Sequence, residues 1–148
     1  MEQIRAFIAI KLPDDIKEHL AFVITRLKPG LENAVKWVNP EAIHLTLKFL
    51  GNVPSHKIAD ITEAISGVAG KTGAFDLELN GCGVFPNLKW PRVAWVGLGG
   101  NIDAIKLLQQ EIDLALRPFG FTPEVREFSP HLTLGEFGIG LPRMKKVN

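Results

Sequence analysis

The tetrapeptide His-Leu-Thr-Leu occurs twice, as His44-Leu45-Thr46-Leu47 and as His131-Leu132-Thr133-Leu134, with 87 positions between equivalent residues. Successive side chains of a β-strand point to opposite faces. Each copy therefore carries a histidine and a threonine on one face and two leucines on the other. The leucine face must be buried, which turns the histidine–threonine face towards a cleft or solvent. A fold that accommodates both copies has to build two such half-buried strands at equivalent points.

The surroundings of the two copies follow the same order. A strand at Ala6-Phe7-Ile8-Ala9-Ile10 leads to Pro13, Asp14 and Asp15, whose carboxylates suit a first helical turn. Ile16, Leu20, Val23 and Leu27 give that helix one apolar face, and Pro29-Gly30 stops it. Trp37-Val38-Asn39-Pro40 then leads into the first motif strand, which Gly51 closes. In the second copy, Val93-Ala94-Trp95-Val96 is a strand and Gly99-Gly100-Asn101 turns into a helix with Ile105, Leu108, Ile112 and Leu116 on one face. Phe119-Gly120 ends it, and Ser129-Pro130 opens the second motif strand. Arg5 and Arg92, each opening its strand, share the offset of 87.

Between the copies, Ser55 is placed to cap a helix with Ile58, Ile61, Ile65 and Val68 on its apolar face. Phe75-Asp76-Leu77-Glu78-Leu79 alternates as a half-exposed strand should. Nothing corresponds to this helix and strand after the second motif. The expected class is α+β: one bilobal domain over residues 1–148, a pseudo-two-fold repeat of strand-helix-strand units with antiparallel-rich sheets around a central cleft. The first unit covers about 4–51, the second about 91–135, and a loose tail runs over 136–148, leaving the second lobe incomplete.

With 17 Lys and Arg against 16 Asp and Glu, the chain lacks the basic excess of a protein held mainly by phosphate-backbone attraction. The single cysteine, Cys82, excludes an intrachain disulfide and a multi-cysteine metal site, and it reads as a small buried hydrophobe. No apolar run is long enough to span a bilayer, and the first residues do not form a signal peptide. The expectation is a cytoplasmic monomer.

Two imidazoles facing one cleft, each beside a hydroxyl, suit in-line displacement at phosphorus. One ring takes the proton of the attacking oxygen and the other protonates the leaving oxygen. Threonine hydroxyls can donate to the non-bridging oxygens. A strained 2′,3′-cyclic phosphate on RNA fits best, because its leaving group is a sugar hydroxyl and ring strain removes the need for a metal. No phosphate-binding loop, His-Glu-x-x-His or aspartate cluster is present, and a zinc site on His44 and His131 lacks a third ligand. No cofactor is called for. His19 and His56 fall outside the pattern and read as surface residues. Arg5 reads as solvated, while Arg92 is either solvated or a phosphate anchor. Trp37, Phe7, Phe85 and Trp95 are candidates for base stacking, with core packing expected for at least three of them.

These residues resemble the two-histidine (2H) phosphoesterases, in the branch of RNA 2′,3′-cyclic phosphodiesterases also called 2′-5′ RNA ligases. The resemblance runs from Arg5-Ala6-Phe7-Ile8-Ala9-Ile10 through Trp37–Gly51, Gly83-Val84-Phe85-Pro86 and Pro91–Gly97 to Phe128-Ser129-Pro130-His131-Leu132-Thr133-Leu134. It implies a bilobal α+β fold and metal-independent hydrolysis of RNA cyclic phosphate ends to 2′-phosphates. Some relatives also join tRNA halves through a 2′-5′ linkage. By motif position it implies that His44 protonates the departing 3′-oxygen, His131 activates water, and Thr46 and Thr133 hold the phosphate. Two features depart from the family pattern. Glu136 stands where relatives carry an arginine, and relatives continue beyond the point where this chain stops. Arg143 and Lys145 are candidate replacement charges. The alternative is a catalytically weakened module of the same fold that binds RNA ends or nucleotides.

Overall fold

The computed structural model describes residues 2–138. Nine regular elements follow in order: β1 (Gln3–Lys11), α1 (Asp14–Leu27), β2 (Val35–Trp37), β3 (His44–Pro54), α2 (Ile58–Lys71), β4 (Leu77–Phe85), β5 (Val93–Gly100), α3 (Ile102–Leu116) and β6 (His131–Phe137). The class is α+β. β1 pairs with β3, and a second sheet has the order β2-β6-β5-β4, with β6 antiparallel to both of its neighbours.

The helices start and stop as their local chemistry dictates. Asp14 and Asp15 occupy the first turn of α1, and Arg26 sits in its last. Asn101 caps α3 by accepting a hydrogen bond from the Ala104 N–H at 3.2 Å. Beyond α3, a 3-10 turn ends on Gly120 at φ +93°, a left-handed conformation in which a Cβ would be strained. Ser55 does not cap α2. It opens a 3-10 turn, Ser55–Lys57, and its backbone N–H donates instead to the Glu2 carbonyl at 3.0 Å.

Two compact units emerge, and they cut across the two sequence copies. One unit gathers the chain up to Ala9, Thr46–Glu78 and Gly99–Pro130, and so holds α2 and α3. These two helices pack on each other. Its buried side chains include Val53, Ile61, Ile105, Ile112 and Leu116. The other unit gathers Ile10–Leu45, Leu79–Leu98 and, among the described residues, 131–138, and so holds α1, β2 and β6. Leu20, Ile24, Val35, Leu45, Val96, Leu132 and Leu134 are buried there. The helix of the first copy thus shares a unit with the motif strand of the second.

Three further expectations change. β2 had no signature in the sequence, and it exists through pairing with β6. β4 runs on through Gly81 and Gly83 to Phe85, and Cys82 within it is exposed rather than buried. Glu136 and Phe137, expected to begin a tail, are the last residues of β6. The rest of that expected tail from residue 139, with Arg143 and Lys145, lies outside the described residues.

Candidate functional site

The two motif strands share more than sequence. Over seven equivalent positions, His44–Leu50 and His131–Phe137, exposure follows one profile. Histidine and threonine are half-buried, the two leucines and the residue after them are buried, the next residue is exposed, and the seventh is half-buried. The fifth position is filled in two ways. Lys48 places a charged side chain in the interior, whereas at Gly135 a Cβ would come within 2.7 Å of Val35 Cγ1. The Val35 side chain and the Lys36 carbonyl, 3.0 Å from the same point, crowd any side chain at Gly135.

A short turn sets the first histidine. Asn39 Oδ1 accepts from the Glu41 N–H at 3.0 Å, and the Ala42 N–H donates to the Asn39 carbonyl at 2.7 Å. The turn so formed, Pro40–Ala42, presents the Ala42 carbonyl to His44, whose Nδ1 lies 2.9 Å from it. A carbonyl can only accept, so Nδ1 carries the proton in this contact.

Register fixes the surroundings of the second histidine. In an antiparallel pair, directly opposed residues share a face. His131 opposes Gly97 and Thr133 opposes Trp95, but Gly135 opposes Ala94 and Glu136 opposes Val93. Leu134 is the extra residue of a β-bulge. Along β5, Val93, Trp95 and Gly97 alternate onto one face. The bulge therefore returns Glu136 to the face of His131 and Thr133. Lys36 directly opposes Glu136 from β2 and shares that face.

Aromatic rings frame the same face. Phe85 stacks on Trp95 with 5.1 Å between ring centroids and meets His131 edge-on at 5.2 Å and 84°. Trp95 can lie there because Gly83 has no side chain; a Cβ at Gly83 would stand 2.7 Å from Trp95 Cζ2.

His44, His131 and Thr133 fall in the same compact unit, and Thr46 begins the next segment of the other. His19 and His56 are exposed, as are Arg5 and Arg92. None of the four stacking candidates is fully buried. Phe7 is 46% exposed and lies 6.3 Å from the ring of Phe49, itself 73% exposed. Away from the histidines, the hydrogen bond and charge of Lys106, 2.7 Å away, hold the Glu127 carboxyl below its usual range.

Sequence reasoning passed over Lys36, Phe49 and Lys48. A lysine inside the apolar run Leu45–Leu50 was a visible signal for the last of these. For Lys36 no signal existed without the register of β2.

Comparison with known proteins completes the description. The sequence profile of the family described as "LigT like Phosphoesterase" matches residues 10–95. The chain belongs to the LigT-like phosphoesterases. An RNA 2′,3′-cyclic phosphodiesterase of Methanothermobacter thermautotrophicus is 35% identical over 133 residues, 90% of this chain and 71% of that relative. A solved structure from Thermus thermophilus superposes with a TM-score of 0.78 at 26% identity, over 90% of this chain and 74% of the other. Escherichia coli LigT complexed with 3′-AMP gives 0.70 at 27% identity, over 93% and 81%. Among these LigT-like proteins the α+β architecture is shared. No helix among the described residues is long and apolar enough to cross a membrane.

Proposed function

We propose that this LigT-like phosphoesterase opens 2′,3′-cyclic phosphates at RNA ends to give 2′-phosphates, without a metal. The observation that carries the proposal is the pair of motif strands with one sequence and one exposure profile. The name of the Methanothermobacter relative and the 3′-AMP complex of E. coli LigT support RNA ends as substrate.

In the proposed reaction His131 takes a proton from water as its oxygen attacks phosphorus. The P–O3′ bond breaks opposite, and His44 Nε2–H delivers its proton to the departing 3′-oxygen. The Ala42 carbonyl at Nδ1 supports this role, since a contact made by Nδ1 assigns the delivered proton to Nε2. Thr46 and Thr133 donate to the non-bridging oxygens. The two rings end in exchanged protonation states and reset through solvent. The setting we propose is a cytoplasmic monomer acting on RNA ends, tRNA halves included, with 2′-5′ joining as a side reaction.

The test is an RNA oligonucleotide ending in a 2′,3′-cyclic phosphate, incubated with excess EDTA. A 2′-phosphate product is expected, and His44→Ala and His131→Ala should each lower kcat by about 10²–10⁴-fold, the range for one acid–base group. No product from the parent chain overturns the proposal. Glu136 on the histidine face favours a second reading, a binding module without turnover, which saturable binding without product would establish.

A further inference from the structure

We infer that Lys36 is the cation that anchors the substrate phosphate on the histidine face, and that Glu136 opposite it weakens the hold on the more highly charged product. The inference rests on the phosphodiesterase reading above for the identity of the ligand. A cyclic diester carries one negative charge and the 2′-phosphate product approaches two, so the face carrying His131 and Thr133 needs a positive charge to hold either. Lys36 is the one lysine or arginine in the four strands of this sheet, which otherwise read Leu77–Phe85, Val93–Gly100 and His131–Phe137. Register places it on that face. It directly opposes Glu136, and Glu136 shares its side of β6 with His131 and Thr133 because of the bulge at Leu134.

Lys36 and Glu136 are both exposed. Neither takes part in an ion pair among the described residues, so the ammonium is not consumed by the carboxylate across from it. A lysine on a flexible four-carbon stem can swing along the strand towards a phosphate at Thr133. A carboxylate on the same face repels each added negative charge on the ligand, and so acts more strongly on the product than on the substrate. The two residues therefore have opposite effects on phosphate binding, although they form one cross-strand pair.

That opposition separates anchoring from a structural ion pair. Calorimetric titration of adenosine 2′-monophosphate into the full chain measures it without turnover. Lys36→Gln, which keeps most of the stem, should weaken binding about tenfold, as loss of a charged phosphate contact does. Glu136→Gln should tighten it about threefold by removing the repulsion, and should tighten adenosine 2′,3′-cyclic phosphate less. Exchanging the charges in Lys36→Glu/Glu136→Lys returns a cation to the same face and should bring binding back to within about threefold of the parent chain. Unchanged binding in Lys36→Gln overturns the inference, and so do shifts of the same sign in both single variants. Thermal midpoints within a degree or two of the parent confirm that the fold is intact. A parent chain that binds the nucleotide but leaves cyclic phosphate closed would sink the proposed activity alone. A parent chain that does not bind it sinks the Lys36 assignment.

Discussion

Lys48 Nζ lies 2.6 Å from Asp113 Oδ1, with both side chains screened from water. Further bonds hold both partners: Lys48 also donates to the Thr122 carbonyl at 2.9 Å, and Asp113 Oδ2 accepts from Gln109 Nε2 and the Glu124 N–H. These bonds tie the end of the first motif strand to α3 and to the segment after it. Removing one partner leaves a buried charge without compensation. Lys48→Met should cost about 3–5 kcal/mol in urea denaturation, and Lys48→Met/Asp113→Leu should recover part of that loss. Equal stability of the single variant and the parent would show that water reaches the pair.

Trp95 rests where Gly83 leaves space, so the two positions are coupled. Gly83→Ala should destabilise by about 1–3 kcal/mol as the indole is pushed aside, with a shift in tryptophan emission. In a Trp95→Phe background the same change should cost less, and the double-mutant cycle reads the difference. Strict additivity would contradict the contact.

Phe85 touches His131 but brings no reactive group of its own. If His131 acts as proposed, the ring is expected to position it, and Phe85→Leu should lower kcat about tenfold with a much smaller change in KM. A change confined to stability would assign the ring to packing alone.

His44 is expected to carry its neutral-state proton on Nδ1, held by the Ala42 carbonyl. Nitrogen-15 chemical shifts of the imidazole above its titration range distinguish the two tautomers directly. A proton found on Nε2 would remove the basis for assigning that nitrogen as the donor to the 3′-oxygen.

The parts of the fold that the sequence made legible are those governed by local chemistry. Asp14, Asp15 and Asn101 mark helix starts, Gly120 marks an end, and the leucines of both motifs were rightly placed in the interior. What stayed hidden depends on pairing between distant segments. β2 spans three residues, too few for any period, and gains its meaning from β6 about a hundred positions later. Strict alternation puts Lys48 and Gly135 on the histidine face, yet both are buried: Gly135 follows the bulge in β6, and Lys48 is bonded to Asp113 and the Thr122 carbonyl. Gly83 reads as a breaker in isolation and becomes a strand residue once Trp95 needs the room. The division into compact units was equally invisible, since the two sequence copies exchange helices between them.

The extra residue at Leu134 gives β6 two independent phases. Upstream of it, His131 and Thr133 are locked to their partners on β5. Downstream, the order of faces starts afresh, so the charge at position 136 can be exchanged without disturbing the alignment of the motif. Straightening the bulge with every residue kept would restore strict alternation, turning Glu136 away from the face of His131 and carrying Phe137 towards it. The charge carried on this face and the alignment of the motif residues are thus separately adjustable along a single seven-residue strand.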